Sequence, residues 1–110
     1  MKKYCLALDL KDDPESIRTY IQWHQNVWPE IEESIKESGI QTMEIYRVEN
    51  RLFMIILTSD EFTFENKKHM DESNPIVGKW EKMMDKFQQK IPGTKKGEKW
   101  RIMENIYTFE

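Results

Sequence analysis

Tyr20 and His24 are the residues whose types and spacing most directly allow proton transfer. Four positions apart, they project from one face of a helix, one turn from each other. An unperturbed imidazole titrates near pH ~6.5, so a phenol held beside it makes an acid–base pair usable near neutrality. The same stretch carries Trp23, Trp28 and Pro29. Trp28 precedes a proline, which disfavours helical geometry, while Pro29 suits a first helical position. One helix therefore ends and a second begins at this corner. Each residue keeps a structural alternative. His24 is also a cation suited to the negative end of a helix dipole, Tyr20 a core or rim aromatic, and Trp28 a staple for the corner.

Other chemistries find little support. The two histidines, His24 and His69, lie in no His-x-x-x-His spacing with a carboxylate, so no metal is expected. The chain has four glycines, no glycine-rich phosphate loop and no GxSxG elbow. A cofactor-free acid–base site is what the residues allow. Glu44 and Glu104 fall in predicted strands between apolar neighbours, and each is either a pocket carboxylate or a solvated edge group. Trp80 is packing or a ligand platform, Met43 a gap-filler. His69, beside Lys67, Lys68 and Asp71, reads as solvent surface.

The chain of 110 residues has room for one core, hence one domain, residues 1–110. Seventeen basic and 20 acidic residues give a net charge of -3 without long single-sign blocks. A nucleic-acid partner would need a concentrated basic face. The densest basic run, Lys95-Lys96-Gly97-Glu98-Lys99, reads as a solvated loop. The single Cys5 permits no internal disulfide, which suits a reducing cytoplasm. The apolar run after Lys2-Lys3 is too short for a signal peptide, and no stretch spans a membrane. A cytoplasmic protein is expected.

Period-two alternation predicts a strand over residues 4–10. Asp12-Asp13-Pro14-Glu15 starts a helix over residues 14–25, with Ile17, Tyr20, Ile21 and His24 on one stripe. A second helix covers residues 29–38 and Gly39 suits its left-handed cap. Residues 40–48 and 52–58 form a hairpin around Glu49-Asn50-Arg51. A helical stretch over 59–70 follows. The next helix carries Ile76, Val77, Trp80, Met83, Met84 and Phe87 on one side and ends at Ile91-Pro92-Gly93-Thr94. A last strand is predicted over 100–109. The order β, α-α, β, β, α-α, β is an α+β, ferredoxin-like βαββαβ sandwich with divided helices. Residues 52–57 are apolar on both faces, although helices cover only one face of such a sheet. The other face packs on a second copy, or the apolar surplus lines a ligand pocket, or both hold.

The pattern Tyr20-x-x-x-His24-x-x-x-Trp28-Pro29-Glu30 resembles that of the L-rhamnose mutarotase family. The similarity continues through Gly39, Ile45-Tyr46, Leu52-Phe53, Trp80 and Glu104-x-x-Tyr107, and so covers the chain in order and length. The resemblance implies a ferredoxin-like domain dimerised through its sheets as a dimeric α/β barrel. It implies a cofactor-independent enzyme that interconverts the α and β anomers of a 6-deoxy sugar, L-rhamnose or a relative such as L-fucose. His24 would be the proton donor, Tyr20 would bind the sugar beside it, and Trp80 would stack on the sugar's C–H face. Trp28 joins them as a candidate contact. The pattern departs at Met43, where the family has a tyrosine, at Lys79, where it has the first of two tryptophans, and at Asn26, where proline is usual. Met43 and Lys79 are thus candidate substrate-binding positions at which specificity changes. A non-catalytic sugar-binding dimer and a cofactor-free oxygenase on the same architecture are the alternatives.

Overall fold

A computed structural model describes all 110 residues. Strand β1 (Lys2–Leu10) leads into helices α1 (Pro14–His24) and α2 (Pro29–Glu37). The hairpin β2 (Ile40–Val48) and β3 (Arg51–Thr58) follows, then α3 (Phe64–Glu72), α4 (Pro75–Asp85) and two short strands, β4 (Gln88–Gln89) and β5 (Arg101–Ile102). The antiparallel sheet runs β2-β3-β1-β4, and β5 pairs with β1 as well. This is the expected ferredoxin-like arrangement.

Local chemistry sets the helix starts. Asp13 accepts hydrogen bonds from the backbone N–H and hydroxyl of Ser16, and Pro14 stands at the first turn of α1. Asn74 caps α4 in the same way ahead of Pro75. Thr63 caps α3, so that helix begins at Phe64 and not at the earlier acidic cluster. At the corner between α1 and α2, Pro29 opens α2 while Trp28 sits in extended geometry, as its place before proline requires. Gly39 has φ 101°, and a Cβ there would sit 3.0 Å from Ser59 Oγ. The positive φ is what favours glycine here, and the close Ser59 hydroxyl adds a contact that a Cβ would have to displace.

In β1, Leu6, Leu8 and Leu10 face the helices, as do Leu52, Ile56 and Thr58 of β3, and all six are buried. Against them pack Tyr20, Ile31, Val77, Trp80 and Met84 in one cluster, and Ile40 with Phe62 in another. The opposite face of the sheet has no helix. It carries half-buried Phe53, Ile55 and Leu57 with exposed Tyr46 and Val48.

Besides the start of α3, two boundaries differ from expectation. Helix α4 ends at Asp85 because Gln88 and Gln89 are captured by the edge of β1, opposite Leu10 and Asp9. The strand predicted over residues 100–109 is reduced to Arg101–Ile102, opposite Ala7 and Leu6. Met103 N–H makes one further bond, to the Cys5 carbonyl. In this register Ile106 would already face Lys2, so β1 runs out beneath the tail. Ile106, Tyr107 and Phe109 are left 75–86% exposed. No helix is long and apolar enough to cross a membrane.

Leu8 is fully buried at the centre of the sheet. Leu8→Ala is expected to lower the unfolding free energy by about 2–5 kcal/mol, measured by urea titration. A loss under ~1 kcal/mol would mean that β1 is not the centre of the core.

Candidate active site

Helix α1 delivers its last turn to a half-open cavity of about 460 Å³ between the helices and the sheet. Tyr20, His24 and Trp80 line it, with Met43, Ile45 and Met54 from the sheet. The tyrosine and imidazole rings lie with centroids 4.4 Å apart and planes 36° from parallel. His24 Nδ1 is 2.9 Å from the Tyr20 backbone carbonyl. A carbonyl only accepts, so Nδ1 must carry the hydrogen. In the neutral ring that leaves Nε2 with a lone pair, able to take a proton. The helix terminus thus selects the tautomer.

Tyr20 is 4% exposed. Burial pushes its hydroxyl up to about 12 because a phenolate would lose its water. A hydrogen bond from Gln88 Nε2, 3.4 Å from the phenolic oxygen, opposes that rise, and the negative charge of Glu81 adds to it. Gln88 Oε1 is buried without a partner. Tyr20 is therefore a neutral hydrogen-bonding group throughout the physiological range, and a poor proton donor.

The apolar wall is aromatic. Trp80, buried on α4, meets His24 nearly edge-on at 5.7 Å and Trp28 at 5.2 Å. Trp23 meets Trp80 at 6.2 Å and Trp28 at 6.5 Å. Trp28 is half-buried and supports Trp80 from behind rather than lining the cavity. Met43 lines it from β2. Lys79 is exposed on α4 and is not brought to the cavity. Glu44 faces the helix-free side of the sheet, where its carboxylate accepts from the Tyr46 hydroxyl at 2.9 Å. Glu104 lies on the exposed tail, and His69 is on the surface of α3.

A charged wall was not foreseen. Lys99 Nζ is 2.6 Å from both Glu81 Oε2 and Asp85 Oδ1. Its side chain is only 25% exposed, which corrects the reading of residues 95–99 as wholly solvated. Burial alone would lower the Lys99 pKa, but the two carboxylates outweigh it and hold the ammonium above its ordinary value. Glu81 and Asp85 stand one helical turn apart beside Trp80, which was a legible hint. Nothing in the sequence near Lys99 or Gln88 announced their roles.

Fold and site together define a ferredoxin-like α+β protein with an aromatic, histidine-containing pocket on the helix side of its sheet. Residues 3–109 match the family described as L-rhamnose mutarotase, and the chain belongs to that family. It is 37% identical over 111 residues to the L-fucose mutarotase of Xanthomonas campestris, covering 99% of this chain and 89% of that protein. Among solved structures, an L-rhamnose mutarotase from Formosa agariphila superposes with a TM-score of 0.73 at 20% identity, with full coverage of both chains. The tetracenomycin F2 cyclase of Streptomyces glaucescens reaches 0.63 at 15% identity, covering 100% of this chain and 98% of the cyclase. At these identities the two structures establish the fold alone.

The raised Tyr20 pKa has a stability consequence. The protonated phenol is the form the fold favours, so its contribution is complete below pH ~10 and is lost as pH rises through about 12. Urea unfolding at stepped pH should show the wild type losing roughly 2–3 kcal/mol more than Tyr20→Phe across that window. Parallel curves for the two proteins would mean that Tyr20 titrates normally.

Proposed function

We propose that the protein is a cofactor-independent mutarotase that interconverts the α and β anomers of a 6-deoxy sugar. L-Fucose, the sugar in the name of its 37% identical relative, and L-rhamnose, the sugar of the family's name, are the substrates of choice. The observation that carries this reading is His24, held as the Nδ1–H tautomer on the edge of an aromatic cavity. The uncharged imidazole takes the proton from the anomeric hydroxyl at Nε2. As the C1–O5 bond breaks and C1 becomes a carbonyl, the imidazolium returns that proton to the ring oxygen. O1 and O5 share one carbon, so a single nitrogen reaches both. Rotation about C1–C2 and the reverse transfers close the ring with inverted C1. Tyr20, kept neutral by burial, donates a hydrogen bond to the sugar, and Trp80 offers its face to the C–H surface.

Saturation-transfer NMR on the two sugars tests this. The wild type should exchange the anomers well above the uncatalysed rate, and His24→Gln should lose at least about a hundredfold, the scale of general acid–base catalysis. Undiminished exchange in that variant would remove His24 from the mechanism. No acceleration on either sugar by the wild type would remove the assignment.

We further infer that the working form is a homodimer joined through the helix-free side of the sheet. Phe53, Ile55 and Leu57 form a continuous apolar patch there, and the apolar tail residues Ile106, Tyr107 and Phe109 find no partner within the chain. Light scattering should give twice the mass of one chain, and Ile55→Lys should halve it without loss of helix content. A wild-type monomer at micromolar concentration would contradict the inference.

A further inference from the structure

The ion pair between Glu81 and Lys99 has a geometry that packing alone does not demand. Both side chains line the same cavity as Tyr20, His24 and Trp80. Glu81 uses Oε2 toward Lys99 and leaves Oε1 free. Lys99 has three N–H donors, of which Glu81 and Asp85 occupy two. Asp85 lies outside the main cavity, on the hollow that adjoins Lys99 from the other side. It pins the ammonium in place without itself reaching the cavity. The result is one free carboxylate acceptor and one free ammonium donor, side by side, next to a flat aromatic wall. Partly exposed ion pairs contribute little to stability, typically ~0–1 kcal/mol, so the cluster's position in the cavity asks for another role.

We propose that Glu81 and Lys99 form a subsite for two adjacent hydroxyls of the sugar and thereby select which sugar the enzyme accepts. One hydroxyl donates to Glu81 Oε1 while the oxygen of its neighbour accepts from Lys99 Nζ. An acceptor and a donor at fixed separation favour a vicinal diol of matching configuration. L-Fucose and L-rhamnose differ in configuration at C2 and C4, so their cis diols are O3–O4 and O2–O3 respectively. The subsite matches one and leaves the other with an unpaired polar contact, which is the situation in which hydrogen-bonding sites discriminate best. Asp85 is a positioning residue that acts through Lys99. The proposal rests on the sugar-mutarotase reading. It adds two polar contacts to the pocket that Met43 also lines.

The test compares wild type, Glu81→Gln, Lys99→Met and Asp85→Asn on both sugars. Anomer exchange is read by NMR and sugar binding by tryptophan fluorescence, with circular dichroism confirming the fold. For the preferred sugar, kcat/KM should fall ten- to hundredfold in Glu81→Gln and Lys99→Met, mainly through KM. The other sugar should change less than threefold, so the ratio between them collapses. Asp85→Asn should shift the ratio in the same direction by a smaller factor. Equal losses on both sugars would show a purely structural pair and overturn the proposal, as would no change on either. Should the wild type bind a sugar without accelerating exchange, the same selective weakening in fluorescence would uphold the subsite while removing the mutarotase reading. A wild type that binds neither sugar would overturn both.

Discussion

The hydrogen bond from His24 Nδ1–H to the Tyr20 carbonyl is the contact on which the site depends. It joins a side chain to the backbone of its own last helical turn, so ring orientation and tautomer follow from where α1 ends. That ending is set by the sequence around it. Asp13 and Pro14 fix the start of α1, and Trp28-Pro29 turns the chain directly after it. The position of α1 on the sheet is in turn held by Tyr20 and Ile17, which pack into the main core. The chemistry is thereby tied to the hydrophobic packing of the domain, with no separate loop to hold it.

Tyr20 and His24 sit at different depths. Tyr20 sits inside the core and pays for it with a hydroxyl that resists ionisation. His24, half-buried at the helix end, keeps a free ring nitrogen on the cavity. Two neighbouring groups on one helix face thus differ in depth as well as in kind: a phenol kept neutral in the core and an imidazole whose second nitrogen opens on the cavity. Across the cavity, α4 divides its labour in a similar way, with Trp80 apolar and Glu81, tied to Lys99, charged.

Much of this was legible in the chain. The paired signals Asp13-Pro14 and Trp28-Pro29 marked two helix starts, and the 40–58 hairpin announced itself by alternation around a polar turn. The tail was misjudged because alternation reports that a segment has two unlike faces. It does not say that a partner strand exists in the same chain. The stripe on α4 continues through Phe87, so periodicity could not reveal that β1 would capture Gln88 and Gln89. The pocket side of β2 was also out of reach. Met43 and Glu44 fall on opposite faces by period two, but only the placement of the helices decides which face is enclosed. Lys99 meets Glu81 across 18 residues of sequence, a contact that tertiary packing alone creates.

The claim that the helix terminus selects the histidine tautomer can be read directly. Nitrogen-15 NMR of the imidazoles, with His69→Gln to assign the second ring, reports which nitrogen of His24 carries the proton in the neutral form. The account predicts a protonated Nδ1 and a free Nε2. A protonated Nε2 with a bare Nδ1 would contradict it and would leave His24 without the lone pair on which the proposed proton transfer relies.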